Sequence, residues 1–340
     1  VVNTDDELIK MNFTGDYKDQ WKKVDSLEQK GLYKSALDEV NNIFEKAKAV
    51  ENSPEIVKSV LYKLKLSDYL REENTAMSII EVDSLAAISN FPTKQILYSI
   101  SAEAYTRYYN QNRWKFFNRT EATGIVLNDI RTWDLTTINR KIRENYELSL
   151  TEVNRLQKSA LSDYKAMLNY YGESVLQRPT LYDFLAHRAL NFYQNTELSL
   201  PSSEKPFVIN DNRYFEESNT FMEASNPTKD SISFSNDWKA LQLLRELTAF
   251  HLRDKSHDAM FDLELIRLDY VYSTSVNETK DAAYEMALKR LIQTHSTTAL
   301  STEAQFKLAS LYASKGNDYS LETPENRWKK KEAHEICQQA

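Results

Sequence analysis

Turn-forming residues are scarce in this chain of 340 residues, which has 5 Gly and 7 Pro where average usage is roughly 7% and 5%. A β-sandwich or barrel needs a turn about every 8–12 residues, so neither is expected, and no glycine-rich phosphate loop can be assembled. A single cysteine, Cys337, excludes an intrachain disulfide and a cysteine-built zinc site. Cations are outnumbered as well: 43 Lys and Arg against 50 Asp and Glu leave a formal charge of −7, which argues against a nucleic-acid partner. No apolar run reaches the roughly 18 residues of a membrane-spanning helix. The opening Val1-Val2-Asn3 has neither an initiator Met nor a signal-peptide pattern. The last helical pattern still runs at Ala340, so a piece of a longer chain is expected.

What is present is helical periodicity. Apolar residues recur every three to four positions over 16–29, 33–50, 53–69 and 76–88, and again from 92 onward. Ser53-Pro54 predicts a helix start with Ser as N-cap and Pro at the first helical position. Residues 118–129 read as a loop between helical layers. Helices are then predicted over 135–147, over 153–171 with Gly172 as its stop, from Pro179 onward, and over 238–252, 257–272, 280–294, 302–314 and from 327. Between about 198 and 234 the period fails amid Pro201, Pro206, Pro227 and many Ser and Asn. That stretch is too long for a plain connector, so a packed irregular insertion is expected. Phe207-Val208-Ile209 and Ile232-Ser233-Phe234 are candidates for a small β-ladder within it.

Internal repetition sets the expected architecture. With Ala287 as the small residue of one repeat's second helix, Leu308, Ala309 and Tyr312 fall where a tetratricopeptide-like first helix carries apolar, small and aromatic residues. Ala333, Cys337 and Ala340 follow at the spacing of the next second helix. Gly31 to Ala36, continued by Val40 and Ile43, shows the same signature partially. A helix pair cannot bury its apolar face alone, so stacked neighbours supply the core. The expected fold is all-α: a tetratricopeptide-like α-solenoid or helical-hairpin array, with hairpins over 1–120, a second layer over 121–340 that holds the insertion, and degenerate repeat pairs over 257–340. The two layers are expected to form one continuous helical domain.

Chemistry-bearing residues are sparse. Five histidines, His187, His251, His257, His295 and His334, form no H-E-x-x-H pattern, so no metal site is expected. His334 and Cys337 share a helix face, but Cys337 sits at a repeat packing position and reads as a buried, inert thiol. Tyr182, Asp183, His187 and Arg188 fall on one predicted helix. Asp183 and His187, four apart, have the spacing of an acid–base pair. The Leu181, Phe184, Leu185, Ala189 and Leu190 around them mark a core helix, so the pair is read as orienting a neighbouring loop. Asn112-Arg113-Trp114-Lys115-Phe116-Phe117, with Arg119 close behind, mixes aromatics with cations, as a stacking or carbohydrate site would. The preferred reading ties the end of a long helix to the loop after it. No cofactor is expected, and no set of residues assembles an enzyme.

Two segments carry a resemblance: Asn112-Arg113-Trp114 with Arg119-Thr120-Glu121, and the run Arg178-Pro179-Thr180-Leu181-Tyr182-Asp183-Phe184 through His187-Arg188-Ala189-Leu190. Trp21 to Leu27 with Gly31 to Leu37, and Asp129 to Trp133 leading into Tyr146 to Leu150, add to it in order. Together they resemble the N-terminal helical region of the very large α-2-macroglobulin-like proteins of Bacteroidota. The resemblance implies an exported, lipid-anchored envelope protein that continues into macroglobulin domains and traps proteases, with this part as a non-catalytic module for spacing or partner docking. Its implied partners are the downstream macroglobulin domains, proteases or envelope proteins, and any membrane contact would run through an upstream lipid anchor. The family's Cys-x-x-Gln thioester is not matched, since Gln338 and Gln339 follow Cys337 at once. The alternative is a free-standing tetratricopeptide-like adaptor or a surface lipoprotein that binds glycan or protein.

Overall fold

The computed structural model describes residues 17–70, 72–117, 129–164, 168, 174–195, 207–224, 235–296 and 298–340. Among these residues the secondary structure is helical, with a single isolated bridge between Ala160 and Thr180 and no strand. The all-α expectation therefore holds. The chain divides into two compact units, Val1–Leu200 and Pro201–Ala340, so the boundary expected near 120 falls inside the first. The expected β-ladder involves residues 232–234, which lie outside the described residues, as do 118–128 of the expected loop.

Unit 1 opens with α1 (Lys18–Gln29), α2 (Tyr33–Ala49), α3 (Ser53–Leu70), α4 (Glu72–Ile88) and α5 (Thr93–Gln111), each packed on its sequence neighbour. Trp21 and Val24 of α1, Ala36, Val40 and Ile43 of α2, and Tyr62 and Leu66 of α3 close a common core. Charge enters this core in paired form. The Trp21 indole Nε1 donates to Glu55 Oε2 at 2.7 Å, and the Lys58 ammonium stands 4.2 Å from the centre of the Trp21 ring. Burial lowers the Lys58 pKa, while Glu55 and Asp25 oppose the shift.

The first two connections use one device. Leu32 N–H donates to Leu27 O at 2.9 Å and Gly31 N–H to Glu28 O at 2.8 Å, with Gly31 at φ +71°. This is a Schellman cap, which places its turning residue in the left-handed region. At the end of α2, Asn52 N–H reaches Ala47 O and Glu51 N–H reaches Lys48 O in the same pattern, with Glu51 at φ 52°. Asn52 then caps α3: its Oδ1 accepts from Glu55 N–H, and its carbonyl accepts from Ile56 N–H. The cap is thus Asn52 and not Ser53, whose hydroxyl instead meets that of Thr93.

α6 (Arg113–Phe117), α7 (Leu135–Ser149), α8 (Val153–Leu156), α9 (Ser174–Gln177) and α10 (Leu181–Tyr193) complete unit 1, with α7 and α10 both on α5. The helix predicted over 153–171 stops at Leu156. Ser159 O accepts from Leu181 N–H, and Leu161 N–H donates to Pro179 O. The backbone after α8 therefore pairs with the approach to α10, which ends the α-helix, and Leu161–Tyr164 forms only a turn of 3-10 helix.

Unit 2 holds α11 (Ser218–Glu223), α12 (Asn236–His251), α13 (Asp258–Thr274), α14 (Lys280–Thr294), α15 (Leu300–Asn317) and α16 (Lys329–Gln339). The described part of the insertion, 207–224, is packed as expected: Ile209, Tyr214, Phe215 and Phe221 are buried. It is less irregular than expected, forming a turn of 3-10 helix over Asn212–Phe215 and then α11. Arg267 Nη1 donates to Tyr214 O at 2.5 Å and Arg290 Nη2 to Phe215 O at 2.7 Å, so two helices hold this turn by its carbonyls. The repeat-like Ala287, Leu308, Ala309, Tyr312 and Ala333 are all buried. A Cβ on Gly316 would stand 2.6 Å from Lys330 Cγ, so its hydrogen allows α15 and α16 to approach closely. Cys337, read as a buried thiol, is exposed. Ala333 is the buried residue of α16, and no described element covers the Cys337 face.

Glu285 clamps α14 to α15. Its carboxylate accepts from Lys289 Nζ (2.7 Å), Tyr312 OH (2.7 Å) and Lys315 Nζ (2.8 Å). Burial pushes this carboxyl up, but those hydrogen bonds outweigh it and hold the pKa at about 2 against an ordinary 4.5.

Two predictions follow from this geometry. Nothing lies within 4 Å of a Cβ at Gly31, so Gly31→Ala costs backbone strain alone, about 1 kcal/mol. Glu51→Gly relieves the equivalent strain and stabilises by roughly 0.5 kcal/mol. Urea midpoints that move in the same direction for both would refute the shared cap. For Glu285 the folded pKa lies below the unfolded one, so its contribution is complete above about pH 4.5 and is lost as pH falls toward 2. Glu285→Gln should cost about 1–2 kcal/mol at pH 7, a figure reduced for the solvent-facing Lys289. The gap to the parent protein should narrow by at least half near pH 3; thermal melts showing an equal gap at both pH values would exclude this account.

Candidate functional site

Thr180 and Asp183 form a capping box at the start of α10. Thr180 Oγ1 accepts from Asp183 N–H, and Asp183 Oδ2 accepts from Thr180 N–H at 2.9 Å and from Thr180 Oγ1 at 2.8 Å. The spacing that suggested an acid–base pair serves the helix itself: His187 Nδ1 lies 2.8 Å from the Asp183 backbone carbonyl, not from its carboxylate. Tyr182, Asp183 and His187 are all buried.

Arg188 reaches outward from the same helix onto α5. Its Nε donates to Ser99 Oγ at 2.8 Å, and its Nη2 pairs with the Glu103 carboxylate. Burial pushes the Glu103 carboxyl up, but the Arg188 charge and hydrogen bond, with Arg107 behind them, hold its pKa below the usual value. The pair fixes the register of α10 along α5.

Asn112, Arg113 and Trp114 lie at the other end of α5. Asn112 is buried, its N–H bonding Tyr108 O and Tyr109 O and its Nδ2 donating to Tyr108 O at 3.0 Å. It ends α5 and starts α6 by bonds within α5 itself, and the loop it was expected to tie, 118–128, lies outside the described residues. Phe116 packs its ring on Tyr108 and Tyr109. Trp114 is 65% exposed, with Lys115 Nζ 5.4 Å from its ring centre. Arg119 lies outside the described residues. Ser99 and Asn112 are 13 positions apart, about 20 Å along a helix, so the two sequence clusters do not form one site.

Between α3 and α5 runs a groove of about 360 Å³, lined by Leu61, Lys65, Asp68, Tyr69, Ile100, Glu103, Ala104 and Arg107 among others. A smaller apolar cavity of about 50 Å³, sharing Leu61 and Ile100, continues from it toward Phe184 and Arg188. The ring of Tyr69, 55% exposed, stacks on Tyr33 with centroids 4.5 Å apart. Every charge on the groove wall is matched: Lys65 by Glu28, Arg107 by Asp68 at 3.6 Å, and Arg188 by Glu103. Of the predicted residues only Arg188 touches this region. The rest was missed because Asp68–Arg107 and Glu103–Arg188 link helices far apart in sequence. The one local signal was an exposed aromatic, Tyr69, at the end of an apolar helix.

Among the described residues no group of His, Cys, Asp and Glu is placed to hold a metal ion, and no helix is long and apolar enough to cross a membrane. In comparisons with known proteins, no family model, curated protein or solved structure matches the chain.

Arg188→Ala would strand Glu103 and Ser99 against the helix interface. Glu103 is about one-third exposed, so the expected cost is about 2 kcal/mol, below the roughly 3–5 kcal/mol of a fully buried pair. Arg188→Lys should recover part of it by restoring the charge without the two-armed reach. Equal denaturation midpoints for the Ala variant and the parent protein would show that the pair does not hold α10.

Proposed function

We propose that this chain is a non-catalytic helical module of a large macroglobulin-like protein of the bacterial envelope, and that the α3–α5 groove docks a protein segment. Protease trapping belongs to the whole protein in this reading, with the membrane reached through an upstream lipid anchor. The family part rests on the order of the motifs around Trp21, Trp114, Trp133 and Tyr182, and the packing of each helix from α1 to α5 on its neighbour supports a tetratricopeptide-like array.

The observation that carries the docking part is the matched charge of the groove. Lys65, Asp68, Glu103 and Arg107 are engaged by one another or by adjacent helices, which leaves Tyr69, Leu61 and Ile100 as contact surface. Such a lining favours apolar and aromatic side chains of an extended or helical segment and gives little attraction to a highly charged ligand.

Two measurements test the two parts separately. An antibody to this chain should detect, in envelope fractions of the native cells, a band several-fold heavier than 39.6 kDa; a soluble band near that mass would overturn the family part. A benzoylphenylalanine placed at Tyr69 of the native protein should crosslink to a protein segment, and Ala104→Arg should abolish the crosslink. Crosslinking no stronger than from exposed Met286 would overturn the docking part.

A further inference from the structure

Unit 2 contains a polar pocket of about 330 Å³ between the insertion, α13 and α14. Arg267 is 2% exposed and lines it. One arm of this guanidinium is used, Nη1 donating to Tyr214 O. Its Nε and Nη2 make no hydrogen bond among the described residues, since the nearest carboxylate oxygen, Glu264 Oε1, stands 3.9 Å from Nη2. That edge, two parallel N–H directions on a rigid plane, is the one that matches a carboxylate. Glu264 lines the same pocket; its Oε1 accepts from Ser218 Oγ at 2.9 Å, and its Oε2 makes no hydrogen bond among the described residues. A buried cation and a carboxylate thus line one cavity as a 3.9 Å ion pair, too long for a direct hydrogen bond, and each keeps an edge without a hydrogen bond among the described residues.

Buried ionic groups cost several kcal/mol each unless their hydrogen bonds are met. A ligand carrying both charges meets both: its carboxylate on the Arg267 edge and its ammonium on Glu264. Leu268, Ala287 and Leu291 give the pocket an apolar wall, and the volume accommodates a side chain against it. Arg290 also lines the pocket, its Nη groups held by Glu216 Oε2 and Phe215 O and its Nε 3.9 Å from Glu217 Oε1, so that cation is already matched and leaves the Arg267 edge to the ligand. We propose that this pocket binds a free α-amino acid. The inference is independent of the macroglobulin-like reading, which concerns unit 1 and the chain's place in a larger protein.

The test is a thermal-shift screen of the whole chain against the proteinogenic L-amino acids at millimolar concentration. At least one should raise Tm by several degrees. Its amide, which lacks the carboxylate, and its N-acetyl derivative, which lacks the ammonium, should not. His295 also lines the pocket, so its imidazole NMR signal should move with the responding amino acid while those of His187 and His334 stay in place. Arg267→Lys and Glu264→Gln should each weaken the response at least tenfold. Because Arg267 also holds Tyr214, the Glu264 variant and the His295 signal keep the test decisive if the Arg267 variant does not fold. No Tm response to any amino acid, an equal response to the amide, or a response that leaves His295 unmoved would overturn the proposal.

Discussion

Burying a helix on most of its circumference obliges its polar groups to find partners, and in α5 each partner comes from a different neighbour. Gln95 Nε2 donates to Glu152 Oε1 and Thr151 Oγ1, Ser99 accepts from Arg188 of α10, and Ser101 meets Asp83 of α4 and Asn145 of α7. Asn145 also donates to Asp83 at 2.7 Å, and Lys141 of α7 pairs with the same carboxylate. Apolar packing alone would let these helices slide, because one methyl contact resembles the next. Each hydrogen bond works at one register only, so the polar set on α5 orders unit 1.

Unit 2 solves the same problem with other chemistry. Its helix pairs meet at clamps nearer the surface: Glu285 receives three donors from α14 and α15, and Tyr284 OH and Lys307 Nζ converge on Asp269 of α13. The described part of its insertion is held by guanidinium groups on the carbonyls of Tyr214 and Phe215, where a short 3-10 turn ends and its last carbonyls need partners from outside. Tyr270 OH reaches Asp237 of α12 at 2.7 Å, and burial ahead of that carboxylate raises its pKa. Low pH should therefore loosen the α14–α15 clamp through Glu285 before it reaches the apolar contacts.

Most helices were legible because one face of each repeats apolar residues at the helical spacing, as Val40, Ile43 and Ala47 do in α2. The break after Leu156 was not, because it comes from pairing with residues near Pro179 and 160–164 retains an ordinary helical composition. The Ser53 cap was misplaced by one residue because Asn52 serves both as the end of one cap and the start of the next. Cys337 was read from repeat spacing, which specifies a packing position but not whether a neighbour occupies it. The groove and the Arg267 pocket each join helices distant in sequence, and helical periodicity carries no information about such pairs.

The residues on which the proposed macroglobulin-like reading rests largely serve the fold. Thr180 and Asp183 cap α10, Arg188 fixes it on α5, and Asn112 turns α5 into α6. A pattern of this kind constrains where helices begin and how they meet, so proteins that share it would share the α5–α10 junction. It places no such constraint on Tyr69, Glu264 or Arg267, which lie outside the motif. Packing and lining are coupled at Glu103, which lines the groove while holding α10, and at Arg267, which lines the pocket while holding Tyr214, so the half-exposed Tyr69 is the groove residue freest to differ between proteins of one architecture.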